Sequence, residues 1–171
     1  PKTDPYTGRF KEVMEMIARG QIEPAIKAAF EWRKSDPGDV MALIALGEGF
    51  EAAGDLLQAA RCYGSIIDLF SSRADLRRFA GERLDRLRLA SALDLAADTY
   101  GKAQEERPDH PASHRLYAFA LLRKGQPEQA FEAIVRGMRQ SYPSGRFAGV
   151  TRILREDLGL VGAAWARFEP K

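Results

Sequence analysis

The chain of 171 residues has one cysteine, Cys62, and two histidines, His110 and His114. A single thiol excludes a disulfide framework and a multi-cysteine metal site within one chain, and on the inner stripe of a helix it reads as a small core hydrophobe. No apolar run approaches the ~20 residues a helix needs to cross a bilayer, so membrane insertion by this segment is not expected. No basic, apolar, small-residue succession near the start reads as a signal peptide. The chain starts at Pro1 without methionine, so we expect a segment of a longer protein.

Strong charge of one sign is also missing. The formal net charge is +2, with 8 Lys/Arg against 11 Asp/Glu over residues 1–72 and 18 against 13 over residues 73–171. A nucleic-acid surface would want a larger single-sign stripe with stacking aromatics between the charges, and none is expected to bind here. The arginines from Arg73 to Arg88 alternate with Asp75, Glu82 and Asp85, the mixture of a solvated helix face. A hydrophobic fraction of 45% with 29% charged residues is that of a folded chain rather than a disordered tail.

What the sequence does have is a period. Ala25, Ala59, Ala96 and Ala130 stand 34, 37 and 34 residues apart, each inside a helix-like apolar stripe. With units starting near Tyr6, Val40, Arg77 and Pro111, the turn position holds Gly20, Gly54, Ser91 and Gly125. Further along each unit stand Ala29, Tyr63, Tyr100 and Ile134, then Pro37, Ser71, Pro108 and Tyr142. The extra residues of the longer interval, Ala74 to Leu76, are assigned to the gap between the second and third units.

This register resembles the tetratricopeptide repeat (TPR) family. Leu43, Leu46, Gly47, Phe50, Ala59 and Tyr63 carry the resemblance in the second unit, Ala96, Tyr100, Ala103 and Pro108 in the third, and Tyr117, Ala118, Ala130 and Gly137 in the fourth. The first unit departs most, with Val13 and Trp32 where small residues are usual. The resemblance implies an all-α, right-handed α-solenoid of about four helix pairs over residues 6–144. A C-terminal capping helix pair is expected over residues 145–169, because the last repeat of a stack must have its apolar face covered.

Ten helices are expected, in pairs. Ser35-Asp36-Pro37-Gly38 closes the first pair, and Pro111 and Pro127 suit the first turns of their helices. The third pair lacks glycine at its inner turn, so Ser91 would have to act as an N-cap, or the helices would run on longer. In the cap, Phe147, Val150, Leu154 and Leu158 mark one face, Gly159 fits a C-cap, and a short helix follows from Val161 to Phe168. Trp165 and Phe168 then either pack within the cap or dock on a neighbouring domain.

Chemistry is scarce. His110 and His114, four apart beside Asp109, have the spacing of a weak metal site, but His114 falls at a core position of the repeat, and neither metal nor cofactor is expected. Cys62 and the serines have no histidine at a matching place, and no enzyme is expected. Ser144-Gly145-Arg146 before a helix has the form of an anion-binding turn, yet reads more simply as a turn and cap.

The remaining candidate is the concave groove which, in proteins this chain resembles, is lined by the first helix of each pair. The positions carried over are Phe10, Met14 and Ile17; Met41, Ile44, Glu48 and Glu51; Arg78, Asp85 and Arg88; and Arg115, Phe119, Leu122 and Arg123. Arg78, Arg115 and Arg123 either converge on an acidic peptide or C-terminal carboxylate, with Phe119 and Leu122 as apolar neighbours, or pair with Glu48, Glu51 and Asp85. Phe10, Met14 and Ile17 form core, a docking face or a homodimer seam. The chaperone-tail-binding members of the family use an asparagine in their clamp, and this chain has no asparagine, so that activity is not carried over.

Residues 105–168 also resemble the repeat segment of large bacterial proteins that carry inter-alpha-trypsin-inhibitor-like or von Willebrand factor A-type domains. The likeness lies in Arg107-Pro108-Asp109-His110-Pro111, Tyr142-Pro143-Ser144-Gly145-Arg146-Phe147-Ala148-Gly149 and Ile153-Leu154-Arg155-Glu156-Asp157-Leu158-Gly159. It implies an envelope-associated or secreted multidomain parent. The expected function is a non-catalytic scaffold that binds a peptide or partner domain in its groove. The alternative is a structural spacer that positions flanking domains.

Overall fold

The computed structural model describes residues 8–143, 145 and 147–168. Among these are nine α-helices and no strand: α1 Gly8–Ala18, α2 Ile22–Ser35, α3 Val40–Ala52, α4 Leu56–Leu69, α5 Ala74–Arg86, α6 Ala90–Glu106, α7 Pro111–Arg123, α8 Pro127–Met138 and α9 Val150–Ala166. They form two compact units, Pro1–Ser71 with α1–α4 and Ser72–Lys171 with α5–α9. Tyr6, Ser144, Arg146 and Glu169, which bound the expected repeats, anion turn and cap, lie outside the described residues.

The helices begin where local chemistry satisfies their first amide groups. The Asp39 carboxylate accepts from the Met41 amide at 2.9 Å and Asp55 from the Gln58 amide at 3.2 Å. Pro111 and Pro127 sit in first turns, where no intrahelical donor is lost. Gly20, Gly54 and Gly125 take φ of +77°, +78° and +74° two residues before α2, α4 and α8, a left-handed conformation that suits a residue without Cβ.

Stacking follows a single rule in each unit. In the first, α1 packs on α2 and α3, α2 on α3, and α3 on α4. In the second, each helix from α5 to α9 packs on the next, while α7 also touches α5 and α9. No helix buries its apolar face alone, which is the arrangement of an α-solenoid. Ala25, Ala59, Ala96 and Ala130 are all fully buried, as are Ala29, Tyr63, Tyr100 and Ile134 further along the same helices.

Two expectations are corrected. The extra residues of the third repeat are not a spacer before it, since Ala74 to Leu76 already belong to α5. The insertion lengthens α6 to 17 residues, against 14 in α4. The inner turn therefore falls at Arg88, 34 residues after Gly54 and 37 before Gly125, and Arg88 adopts φ +59° where those positions carry glycine. Ser91 lies inside α6 and is no cap; the N-cap is Leu89, which makes no side-chain capping bond.

Among the described residues the C-terminal cap is one helix rather than a pair. Gly159 lies in the interior of α9, because Val150, Leu154, Asp157 and Val161 continue one buried stripe through it. Burying that continuous stripe outweighs the roughly 1 kcal/mol that an interior glycine costs a helix. In the second unit Val161 joins Ala118, Leu121, Ala130, Ala133 and Ile134 in a core shared by α7, α8 and α9.

Candidate functional site

The tyrosine of α4 and that of α6 are seated on glycines of the preceding helix. A Cβ at Gly47 would lie 2.5 Å from the Tyr63 ring, and one at Gly81 would clash equally with the Tyr100 ring. Both rings are wholly buried. Their hydroxyls have different fates. Tyr63 Oη donates to Glu51 Oε1 at 2.6 Å. Residue 85 is 34 places after Glu51 but is an aspartate, and it pairs with Arg123 of α7 instead. Among the described residues Tyr100 Oη has no hydrogen-bond partner. Burial, with Asp85 and Glu82 nearby, holds its phenol far above the ordinary range, so it stays protonated.

Tyr100 lines an open cavity of about 410 Å³ together with Glu82, Asp85, Arg86, Arg88, Leu116, Phe119 and Arg123. All of these belong to α5, α6, α7 or the α5–α6 turn, within the second unit. Arg88, Asp85, Phe119 and Arg123 were legible as groove residues from the repeat pattern. Tyr100 was read only as a residue of the repeat register, and Leu116, Glu82 and Arg86 were missed. The last two follow from moving the third repeat three residues earlier, a shift signalled by the 34-residue interval from Gly54 to Arg88.

The three expected arginines do not converge. Arg78 donates to Ser113 Oγ at 2.9 Å, and burial pushes its guanidinium below the ordinary value. Arg115 Nε donates to Asp157 Oδ2 at 2.5 Å, clamping α7 to α9 through a buried carboxylate. Only Arg123 reaches the Tyr100 cavity. Arg115 lines a separate one of about 340 Å³, with His110, Pro111, Ala112, Phe147, Ala148, Val150 and Ile153. Leu122 does not stand beside Phe119 in the groove; it packs on the core between α7, α8 and α9.

In the first unit Phe10 is buried with Val13 and offers no docking surface, while Met14 and Ile17 are half-buried. Glu48 and Glu51 are half-buried on α3, where Glu51 is occupied by Tyr63. On α9 the Trp165 ring packs 5.5 Å from Phe131, and both Trp165 and Phe168, two residues past the helix, keep more than a third of their surface exposed.

Neither histidine offers a free ligand pair. The fully buried His114 ring joins Gln104 Nε2 at its Nδ1 (2.7 Å) and the Pro108 carbonyl at its Nε2 (2.6 Å), and burial lowers its pKa. This fixes a neutral ring with the proton on Nε2. His110 stacks edge-on against Phe147 at 5.5 Å. The Cys62 thiol is pushed up to about 11 by burial and stays protonated in the core. No described helix is long and apolar enough to cross a membrane.

The helix stacking, the glycine turns and the buried alanine and tyrosine register together define a TPR-type fold. Solved structures agree. The chain is similar to MamA, with 18% identity and a TM-score of 0.56 over 95% of this chain and 92% of that one. It is similar to MamA from Desulfovibrio magneticus RS-1, with 16% identity and a TM-score of 0.54 over 95% and 94%. A thermophilic TPR protein of Thermus thermophilus matches with 16% identity and a TM-score of 0.52 over 93% and 82%. No family model and no curated protein sequence matches the chain.

Proposed function

We propose that this chain is a non-catalytic protein-interaction module and that its second unit receives a peptide segment of a partner between α5, α6 and α7. The observation that supports this most is the open cavity with an apolar wall, Leu116 and Phe119, and a charged rim that includes Arg88 and Arg123. A repeat fold offers such a surface through the stacking of its helix pairs. Among the described residues no group of three or more His, Cys, Asp or Glu is placed to hold a metal.

The test is selection of a displayed library of random short peptides on the whole chain, repeated with Phe119→Ser. Enrichment of a consensus that is lost in Phe119→Ser, with helix content and melting retained, is expected. Enrichment indifferent to Phe119 would remove the groove from the proposal. Charge reversal of Arg115 is a poor probe, because it would strand the buried Asp157 carboxylate.

A second reading, a spacer that seats a neighbouring domain, is favoured by α9 and the residues that follow it. Leu160, Trp165 and Phe168 leave 63%, 41% and 46% of their surfaces exposed there. Leu160→Ser with Trp165→Ser should then release an adjoining domain in the parent protein while peptide capture persists. Retention of that domain would count against the spacer.

A further inference from the structure

The α3–α4 and α5–α6 hairpins hold equivalent places, each the end pair of its own unit, with α3 meeting the rest of the first unit and α7 receiving α5–α6 in the second. They differ wherever a helix hairpin is secured locally. The Asp39 and Asp55 side chains cap α3 and α4, whereas Arg73 and Leu89, at the N-caps of α5 and α6, make no side-chain capping bond. Gly54 enters the left-handed region with no Cβ to obstruct it, while Arg88 carries one there at φ +59°. Tyr63 Oη donates to Glu51, and the enclosed Tyr100 Oη has no hydrogen-bond partner among the described residues. Two open caps, a strained turn and an unpaired phenol therefore fall on one hairpin, and all four raise the free energy of its closed form.

Polar contacts join this hairpin to its neighbour: Asp85 with Arg123, Asp94 with Lys124, Arg78 with Ser113 and Gln104 with His114. The two ion pairs are partly solvated and hold little. A lone two-helix pair does not keep its helices once its neighbour is lost, so undocking from α7 and unfolding of α5 and α6 are one event. We propose that α5–α6 is a built-in opening element, which unfolds locally as one cooperative piece while α3–α4 and α7–α9 stay folded.

Opening changes the surface in two ways. It brings out Ala96, Tyr100 and Ala103 of α6 and the His114 ring that Gln104 covers, all buried in the closed chain. It also dismantles a wall of the groove, because Glu82, Asp85, Arg86 and Arg88 of the open cavity all belong to the hairpin. Occupancy of that cavity therefore holds the hairpin closed, which couples the interaction surface to the folding of α5–α6.

Hydrogen exchange of the full chain, followed by mass spectrometry, tests this in the native chain and in Arg88→Gly, Tyr100→Phe, Arg73→Ser and Gly54→Arg. The slowest amides of α5 and α6 should share one rate, on the order of a hundredfold faster than that of the slowest amides of α3 and α4. Arg88→Gly, Tyr100→Phe and Arg73→Ser should each slow that shared rate by about three- to tenfold, with α3–α4 and α8–α9 unchanged. Gly54→Arg places the strained turn in the first unit, where a Cβ meets no neighbouring atom, and should instead speed α3–α4 by about tenfold. Equal protection of the two hairpins in the native chain would overturn the proposal. So would variants that slow every helix alike, the mark of global unfolding, or unrelated rates in α5 and α6, the mark of fraying.

Discussion

The α3–α4 hairpin and the α5–α6 hairpin use the same packing device and end with opposite polar balances. In each, a buried tyrosine lies across a helical glycine, Tyr63 over Gly47 and Tyr100 over Gly81. In the first, Glu51 is long enough to accept from the phenol. In the second, Asp85 is one methylene shorter and faces Arg123, which removes the acceptor from Tyr100. The first hairpin turns through Gly54 and the second through Arg88. Identical repeat topology thus produces one hairpin whose buried phenol is satisfied and one whose buried phenol has no partner among the described residues.

That contrast is sharpest where it should vanish. Gly47→Ala and Gly81→Ala should each destabilise by roughly 1–3 kcal/mol, because backbone and ring would have to part. Denaturant titration should find the two losses similar. A chain that tolerates either substitution would show that the ring-on-glycine contact is not shared.

The hydroxyls should separate the hairpins. Tyr63→Phe is expected to cost about 1–2 kcal/mol by removing a bond to a carboxylate, whereas Tyr100→Phe should cost nothing or stabilise. Equal losses in thermal melts would dissolve the comparison. Asp85→Glu should move the second hairpin toward the first, gaining about 0.5–1 kcal/mol as the longer carboxylate reaches Tyr100 Oη. The gain should disappear in the double variant with Tyr100→Phe.

The smallest effect concerns His114, which has no counterpart in the first unit. Its folded pKa is lowered chiefly by burial, against the Pro108 carbonyl that raises it and with Arg136 lowering it further. Below the ordinary value of 6.5 the unfolded chain binds the proton that the folded chain refuses, so stability falls as pH drops through that window and is complete above it. Melting temperature should therefore decline on acidification, and His114→Gln should flatten the decline. A native profile flat in pH would mean that the ring keeps its ordinary affinity for protons.

Much of this is legible in the sequence. Recurrence of Ala25, Ala59, Ala96 and Ala130 marks the close helix approaches, and all are wholly buried. The fate of the Arg88 turn was obscured by a local rule, because a left-handed turn without glycine is disfavoured and Ser91 offered a more ordinary break. The continuity of α9 was obscured in the same way by Gly159, whose cost is outweighed by burial that acts along the whole helix.

The groove arginines show the other kind of gap. Their positions on α5 and α7 follow from periodicity, yet their partners, Ser113, Asp157 and Asp85, are up to 42 residues away in sequence. Helical periodicity is a property of neighbours three and four residues apart, so the amino-acid order by itself determined the helices, their pairing into repeats and the buried face of each. Whether a guanidinium meets a carboxylate or a phenol is left unpartnered depends on side-chain reach of a single methylene across separate helices, and only the tertiary structure decided that.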